Sequence, residues 1–172
     1  MDIIDSLPRK SIKKGAILLR QGEVCQSGYR VLKGCLKSYV IDTAGKEHIL
    51  QFAPEGWFIS DMDSFFNNQP ATIFIDAVEA SEIAVMSRAV LGSIEVQDNA
   101  ALIAQNQRLV RSLISTHKRL IALLSATAEE RYLSFIDTYP SLLQRLPLKL
   151  IASYIGITPE YLSELRRKLA KK

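Results

Sequence analysis

The sequence predicts an α+β fold in which an antiparallel β jelly roll or barrel is followed by one long helix and a small all-helical unit. Short alternating runs separated by turn residues fill residues 11–88. A helical pattern then runs from Asn99 to Ser125, and two shorter helical patterns with a glycine between them occupy the last 25 residues. We therefore expect three parts, residues 1–98, 99–126 and 127–172.

The β part is predicted from short β-branched runs at even spacing, which are typical of antiparallel barrels and jelly rolls. Turn signals with glycine separate these runs, for example at residues 21–23 and 43–46. A short helical insert is predicted at residues 61–68, before Gln69 and Pro70. The predicted strands are centred on Ile12 and on residues 16–19, 29–32, 36–41, 48–52, 72–78 and 83–86.

The long helix carries two adjacent apolar stripes, whereas one stripe is enough to cover a barrel. The second stripe indicates a second partner, most simply the same helix of another subunit. The alternative is a helix buried on both sides within one chain. The first stripe, our predicted dimer interface, is Leu109, Leu113, Thr116, Leu120 and Leu123. The second is Val110, Ile114, His117, Ile121 and Leu124.

The helix after the long one is predicted from a capping box at residues 127–130, where Thr127 precedes Glu130 by three positions. It should run over residues 128–139 and end before Pro140, and a brief helical turn should follow at 142–146. The boundary between the two halves of the chain is expected near residues 125–127.

The C-terminal segment has the layout of a helix-turn-helix, whose second helix enters the DNA major groove. Gly156 stands where a positive φ is needed, Thr158 can cap a new helix, and Pro159 occupies its first position. Ala152 lets two helices cross closely. The alternative is an ordinary helical hairpin. The apolar positions of the frame are Ile151, Ile155, Ile157, Leu162 and Leu165.

The second helix of this motif supplies the predicted DNA contacts. Its start should face base edges, and its basic end should lie nearer phosphates. Charge supports this, because residues 104–172 carry 12 Lys/Arg against 5 Asp/Glu, whereas residues 1–103 carry 10 against 13. The base-facing set is Thr158, Glu160, Tyr161, Ser163 and Glu164, and the phosphate set is Arg166, Arg167 and Lys168.

Taken in this order, the chain resembles the CRP/FNR family of bacterial transcription regulators over nearly its full length. Residues 18–66 look like the family's cyclic-nucleotide-binding-type barrel, with turns at Gly22, Gly34, Gly45 and Gly56. The resemblance implies a homodimer paired through the long helices, with each recognition helix reading half of a palindromic operator. It also implies double-stranded DNA and RNA polymerase as partners.

Two departures from the family pattern change these expectations. The element that holds the cyclic phosphate in cAMP-binding members carries a Gly-Glu pair and a later Arg-Ser pair. The Arg neutralises the phosphate and the Glu binds the ribose hydroxyl, and the matching positions here are Ser60-Asp61 and Ala71-Thr72. A buried phosphate without the arginine lacks its counter-charge, so we expect no usual cAMP binding and an unidentified effector, or none. We also expect no two-stranded wing of the kind that many members carry after the recognition helix. The predicted effector pocket is Phe58, Ser60, Asp61, Ala71, Thr72 and Thr116.

Composition argues against several other classes of function. The two histidines, His48 and His117, are too few for a cupin-type metal site, and no nucleophile motif or phosphate loop is present, so we expect no enzyme and no metal. Cys25 and Cys35 are too few for a disulfide framework or a four-cysteine iron–sulfur site, although haem ligation by His or Cys stays open. Without a membrane span or signal peptide, we expect a cytoplasmic protein. The alternative function is a small-molecule sensor whose helical unit contacts a protein.

Overall fold

The computed structural model describes residues 6–93 and 99–171, and the chain divides into two compact units, Met1–Ser93 and Ile94–Lys172. The first unit is β-rich and the second is all-helical, so the predicted fold class is confirmed. The long helix belongs to the second unit, whereas our sequence-based boundary lay at its C-terminal end. The division of the chain into three parts stays a prediction.

The first unit consists of two four-stranded antiparallel sheets. The strands are β1 (Arg9–Ile12), β2 (Ile17–Leu19), β3 (Ser27–Lys33), β4 (Leu36–Ile41), β5 (Glu47–Ala53), β6 (Phe58–Ile59), β7 (Phe74–Ala77) and β8 (Ser81–Ser87). One sheet has the order β1-β8-β3-β6 and the other β2-β7-β4-β5. Both sheets contribute to one core, for example through Val31, Leu36, Ile75 and Ile83, which are completely buried.

Two short helices complete the first unit. Helix α1 (Met62–Asn67) is the predicted insert, and α2 (Arg88–Ser93) follows β8. The sequence patterns missed both α2 and β6. Strand β6 has only two residues and is therefore too short to show alternation. Strand β7 begins at Phe74 rather than at residue 72, because the Thr72 N–H is bonded to the Asp61 carboxylate and not to a neighbouring strand.

The second unit contains α3 (Asn99–Ser125), α4 (Ala128–Thr138), a 3-10 turn (Pro140–Leu142), α5 (Leu148–Ile155) and α6 (Pro159–Leu169). The bounds of α3 are those predicted. The predicted capping box is present, because Thr127 accepts from the Glu130 N–H and the Glu130 carboxylate accepts from the Thr127 N–H. The predicted turn at 142–146 begins earlier, at Pro140.

Candidate nucleic-acid interface and barrel cassette

The two last helices form the helix-turn-helix that the sequence predicts. Helix α5 ends at Ile155 and is capped by Gly156, whose φ of 74° is left-handed. The Ile157 N–H donates to the Ala152 carbonyl oxygen at 3.0 Å. Thr158 then caps α6 by accepting from the Tyr161 N–H at 3.2 Å, and Pro159 is the first helical residue. The turn is therefore fixed by contacts between residues only three to five positions apart.

One face of α6 is packed and the other is open. Leu162 and Leu165 are buried, together with Ile151, Ala152 and Ile155 of α5. All eight predicted DNA-contacting side chains are exposed, namely Thr158, Glu160, Tyr161, Ser163, Glu164, Arg166, Arg167 and Lys168. The open face of α6 is thus polar apart from Pro159 and the Tyr161 ring, and polar side chains are what a groove-reading helix uses. The contacts of these eight side chains with DNA stay predictions.

Charge is distributed along α6 in the direction that the helix dipole favours. Glu160 lies in the first turn and Arg166, Arg167 and Lys168 lie in the last. The helix ends at Leu169, so Lys171 lies beyond it, and Lys172 lies outside the described residues. The two C-terminal lysines also add to the basic end of the sequence, and an extension of α6 as far as Lys171 would have been wrong.

The predicted dimer interface lies on a surface that the protomer leaves open. Leu109, Leu113, Leu120 and Leu123 are 41–58% exposed, and the second stripe of α3 is similarly open at Val110, Ile114, Ile121 and Leu124. The Thr116 hydroxyl donates to the Ser112 carbonyl oxygen of its own helix. Such an apolar helix surface is typical of an interaction face, although the interface itself stays a prediction.

The second candidate site is the segment of the barrel unit from Ser60 to Thr72, which we name the barrel cassette. It is built around the buried carboxylate of Asp61, which is 5% exposed. Its Oδ1 atom accepts from the Ser64 N–H at 3.0 Å, which caps α1. Its Oδ2 atom accepts from the Thr72 N–H at 2.9 Å and lies 3.4 Å from the Thr72 hydroxyl. The Asp61 carboxylate, at one of the two positions singled out in the sequence, therefore accepts from the backbone of Thr72 at the other position and from the first turn of α1.

The other predicted pocket residues have different places. Ala71 is 3% exposed and belongs to the barrel core. The ring of Phe58 is packed against Gly28, where a Cβ atom would collide with it, and the Ser60 hydroxyl lies 3.5 Å from the Cys25 Sγ atom. Thr116 belongs to the second unit, so its part in the pocket stays a prediction, as does the pocket itself.

The sequence reasoning missed Arg88, which reaches the other end of α1. Its Nη1 atom donates to the Asn68 side-chain oxygen at 2.7 Å, and its Nη2 atom donates to the carbonyl oxygens of Cys25 and Ser64. All three acceptors are neutral, and Asn68 is the residue that caps the C-terminal end of α1. The only sequence signal was that Arg88 is the first arginine after Arg30.

The groups considered for metal or haem binding are dispersed. The His48 Nε2 atom donates to the Asp42 carboxylate at 2.7 Å, and this hydrogen bond holds the pKa of Asp42 below its usual value. Cys25 and Cys35 are both buried free thiols. Within residues 6–93 and 99–171, no three His, Cys, Asp or Glu side chains come together as metal ligands, and no helix there is long and apolar enough to cross a bilayer. Two cysteines in this chain do not fit an iron–sulfur cluster held by four thiolates.

The comparisons with a family model, with known relatives and with a solved structure agree with one another. The family model described as cyclic nucleotide-binding domain matches residues 9–98. The anaerobic regulatory protein of Pasteurella multocida is 28% identical over 185 residues, which cover 99% of this chain and 67% of that protein. The fumarate and nitrate reduction regulatory protein of Vibrio cholerae is 28% identical over 175 residues, which cover 95% and 69%. The structure of FixK2 from Bradyrhizobium japonicum superimposes with a TM-score of 0.78 at 18% identity, over 96% of this chain and 85% of that one, which shows the shared fold.

Proposed function

This chain belongs to the cyclic nucleotide-binding domain family and, within it, to the CRP/FNR transcription regulators, and from that premise we propose a cytoplasmic homodimer whose barrel has lost usual cAMP binding. As a member of that family it is a DNA-binding transcription regulator and not an enzyme. RNA polymerase is the further partner that a regulator of this kind would contact. The observation that carries the proposal is the exposed polar face of a capped α6.

DNA reading is assigned to α6 in two parts. Glu160 can accept from a cytosine amino group, so it would choose sequence, whereas Arg167 would neutralise a phosphate of any sequence. Dimerisation through the open stripes of α3 would place two such helices on one operator, as two-fold symmetric regulators require.

Loss of usual cAMP binding is supported by the Asp61 carboxylate, which takes the donors that a phosphate would need. If a cyclic phosphate bound beside it instead, two unit charges about 5 Å apart would repel by about 3 kcal/mol at an effective dielectric constant of about 20. The missing arginine removes a charge-assisted hydrogen bond of about 2 kcal/mol. A micromolar affinity, about −8 kcal/mol, would thus fall to about −3 kcal/mol, weaker than millimolar.

The DNA proposal is tested by selecting bound sites from randomised duplexes and measuring affinity against salt. Arg167→Ala should weaken every duplex and lower the salt slope by about one, because one phosphate contact is lost. Glu160→Ala should leave the salt slope unchanged and relax sequence choice. Lys10→Ala removes the same charge from an exposed strand of the barrel unit and serves as the control. Unchanged affinities in both α6 variants would favour a protein partner for the helical unit.

The cassette proposal is tested by calorimetry with cAMP and cGMP on the unmodified protein. No binding heat is expected at ligand concentrations up to about 1 mM. A dissociation constant in the low micromolar range would mean that another group neutralises the phosphate, and it would overturn this part of the proposal.

A further inference from the structure

The C-terminal end of α5 is completed by two arginines from other helices. The turn's own N–H groups reach the Ala152 and Ser153 carbonyl oxygens, because the Ile157 and Gly156 N–H groups donate to them. The next two carbonyls lie at the end of the helix, where no further turn supplies a donor. Arg119 Nη2 donates to the Tyr154 carbonyl oxygen at 2.8 Å, and Arg131 Nε donates to that of Ile155 at 2.7 Å.

These two guanidinium groups, the arginine clamp, also join α5 to the long helix. Arg119 is itself a residue of α3, and its guanidinium carbon lies 4.0 Å from the centre of the Tyr154 ring. Arg131 is a residue of α4, and its Nη1 atom donates to the Ala126 carbonyl oxygen just after α3 at 2.6 Å. The positive charges lie at the negative ends of α3 and α5, where they are favoured.

The clamp lies directly before the reading helix. Helix α5 passes through a turn of three residues, Gly156, Ile157 and Thr158, into α6, and α5 and α6 share a buried contact. The direction of α6 relative to α3 therefore depends on how the end of α5 is held. In a dimer paired through α3, that direction decides how far apart two half-sites must lie on DNA.

We propose that Arg119 and Arg131 are positioning residues for operator reading, which fix α6 relative to α3 and so set the half-site spacing that the dimer accepts. This inference rests on the proposed function. Arginine suits the task better than lysine, because one planar guanidinium donates in several fixed directions. Arg131 uses two of its nitrogen atoms on two carbonyls, whereas a lysine has a single nitrogen and cannot present two donor atoms at a fixed separation.

The first experiment measures affinity for operators whose half-sites are moved one base pair closer or farther apart, using Arg119→Lys and Arg131→Lys. In both variants the ratio of the affinity for the best spacing to that for the shifted spacings should fall at least about five-fold. The affinity for a single half-site should stay within about two-fold of that of the wild type. Lys118→Arg is the matched control, since it is a charge-preserving change at the adjacent, exposed position of α3. A preference retained in both clamp variants would overturn the inference.

The second experiment needs neither DNA nor dimerisation. Spin labels at Ser112 of α3 and Lys168 of α6, both exposed, give an intramolecular distance distribution when labelled protein is diluted into unlabelled protein. The clamp variants should broaden it, and Lys118→Arg should not. If the wild type binds no DNA, the proposed function fails while this distance still tests the clamp. If wild-type DNA binding is intact but neither distance nor spacing changes, only the clamp is refuted. If one of the two clamp variants does not fold, the other one still tests the inference.

Discussion

Replacing Asp61 with asparagine should destabilise the barrel much more than the same change two residues away. The two carboxylate oxygens accept in different directions, from the Ser64 N–H at 3.0 Å and the Thr72 N–H at 2.9 Å. Asparagine has one acceptor oxygen, so its amide nitrogen must face one of these donors. The change removes a hydrogen bond to a charged group and leaves a poorly solvated N–H, at a cost of about 2 to 4 kcal/mol.

Urea unfolding of the barrel, followed by Trp57 fluorescence, measures this cost. With a slope of about 2 kcal/mol per molar urea, the midpoint should fall by about 1 to 2 M at an unchanged slope. Asp63→Asn is the control, since Asp63 is an exposed residue of the same helix and should cost about 0.5 kcal/mol or less. If the two variants unfolded at the same urea concentration, the two hydrogen bonds of Asp61 would not stabilise the barrel.

Three further predictions concern the dimer, the turn and alkaline stability. Leu113→Asp places a charge on the open stripe of α3 and should turn the dimer into a monomer, because an unpaired charge in the interface costs several kcal/mol; a wild-type monomer at tens of micromolar in sedimentation would refute the interface. Gly156→Ala should cost about 1 kcal/mol in thermal unfolding through backbone strain alone, since the nearest atom to the new Cβ is 3.7 Å away; no loss of stability would argue against the left-handed turn. Burial raises the pKa of Tyr39 from 10.0 to about 12, so its contribution to stability is complete below pH 10 and is lost as the pH rises towards 12. Tyr39→Phe should therefore flatten the alkaline fall in the urea midpoint, and an identical fall in the two proteins would contradict the assignment.

The features that the sequence predicted well are those fixed by near neighbours. The bounds of β4 and α3, the Thr127–Glu130 capping box and the Gly156 turn all follow from residue types a few positions apart. The polar face of α6 follows in the same way, from the period of Leu162 and Leu165.

The features that the sequence did not reveal are contacts across the fold. Asp61 meets the Thr72 N–H across 11 positions, Arg131 meets the Ile155 carbonyl across 24, and Arg119 meets the Tyr154 carbonyl across 35. Each pairs a side chain with a backbone atom, and the partner's residue type carries no information about such a bond. The resemblance placed Asp61 at the position of the family's ribose-binding glutamate, but it did not identify Asp61 as the cap of α1.

The cap changes what the barrel requires in order to fold. A short helix has unbonded N–H groups at its start, which an anion stabilises. In this barrel Asp61 supplies that anion from within the chain and ties α1 to the segment before β7. Under the proposed function the cassette needs no bound nucleotide, because a nucleotide would have to displace a buried carboxylate that already accepts two backbone hydrogen bonds. It follows that operator affinity should be the same, within about two-fold, with and without millimolar cAMP. A large increase on adding cAMP would mean that the Asp61 bonds open readily and that the cassette still works as a sensor.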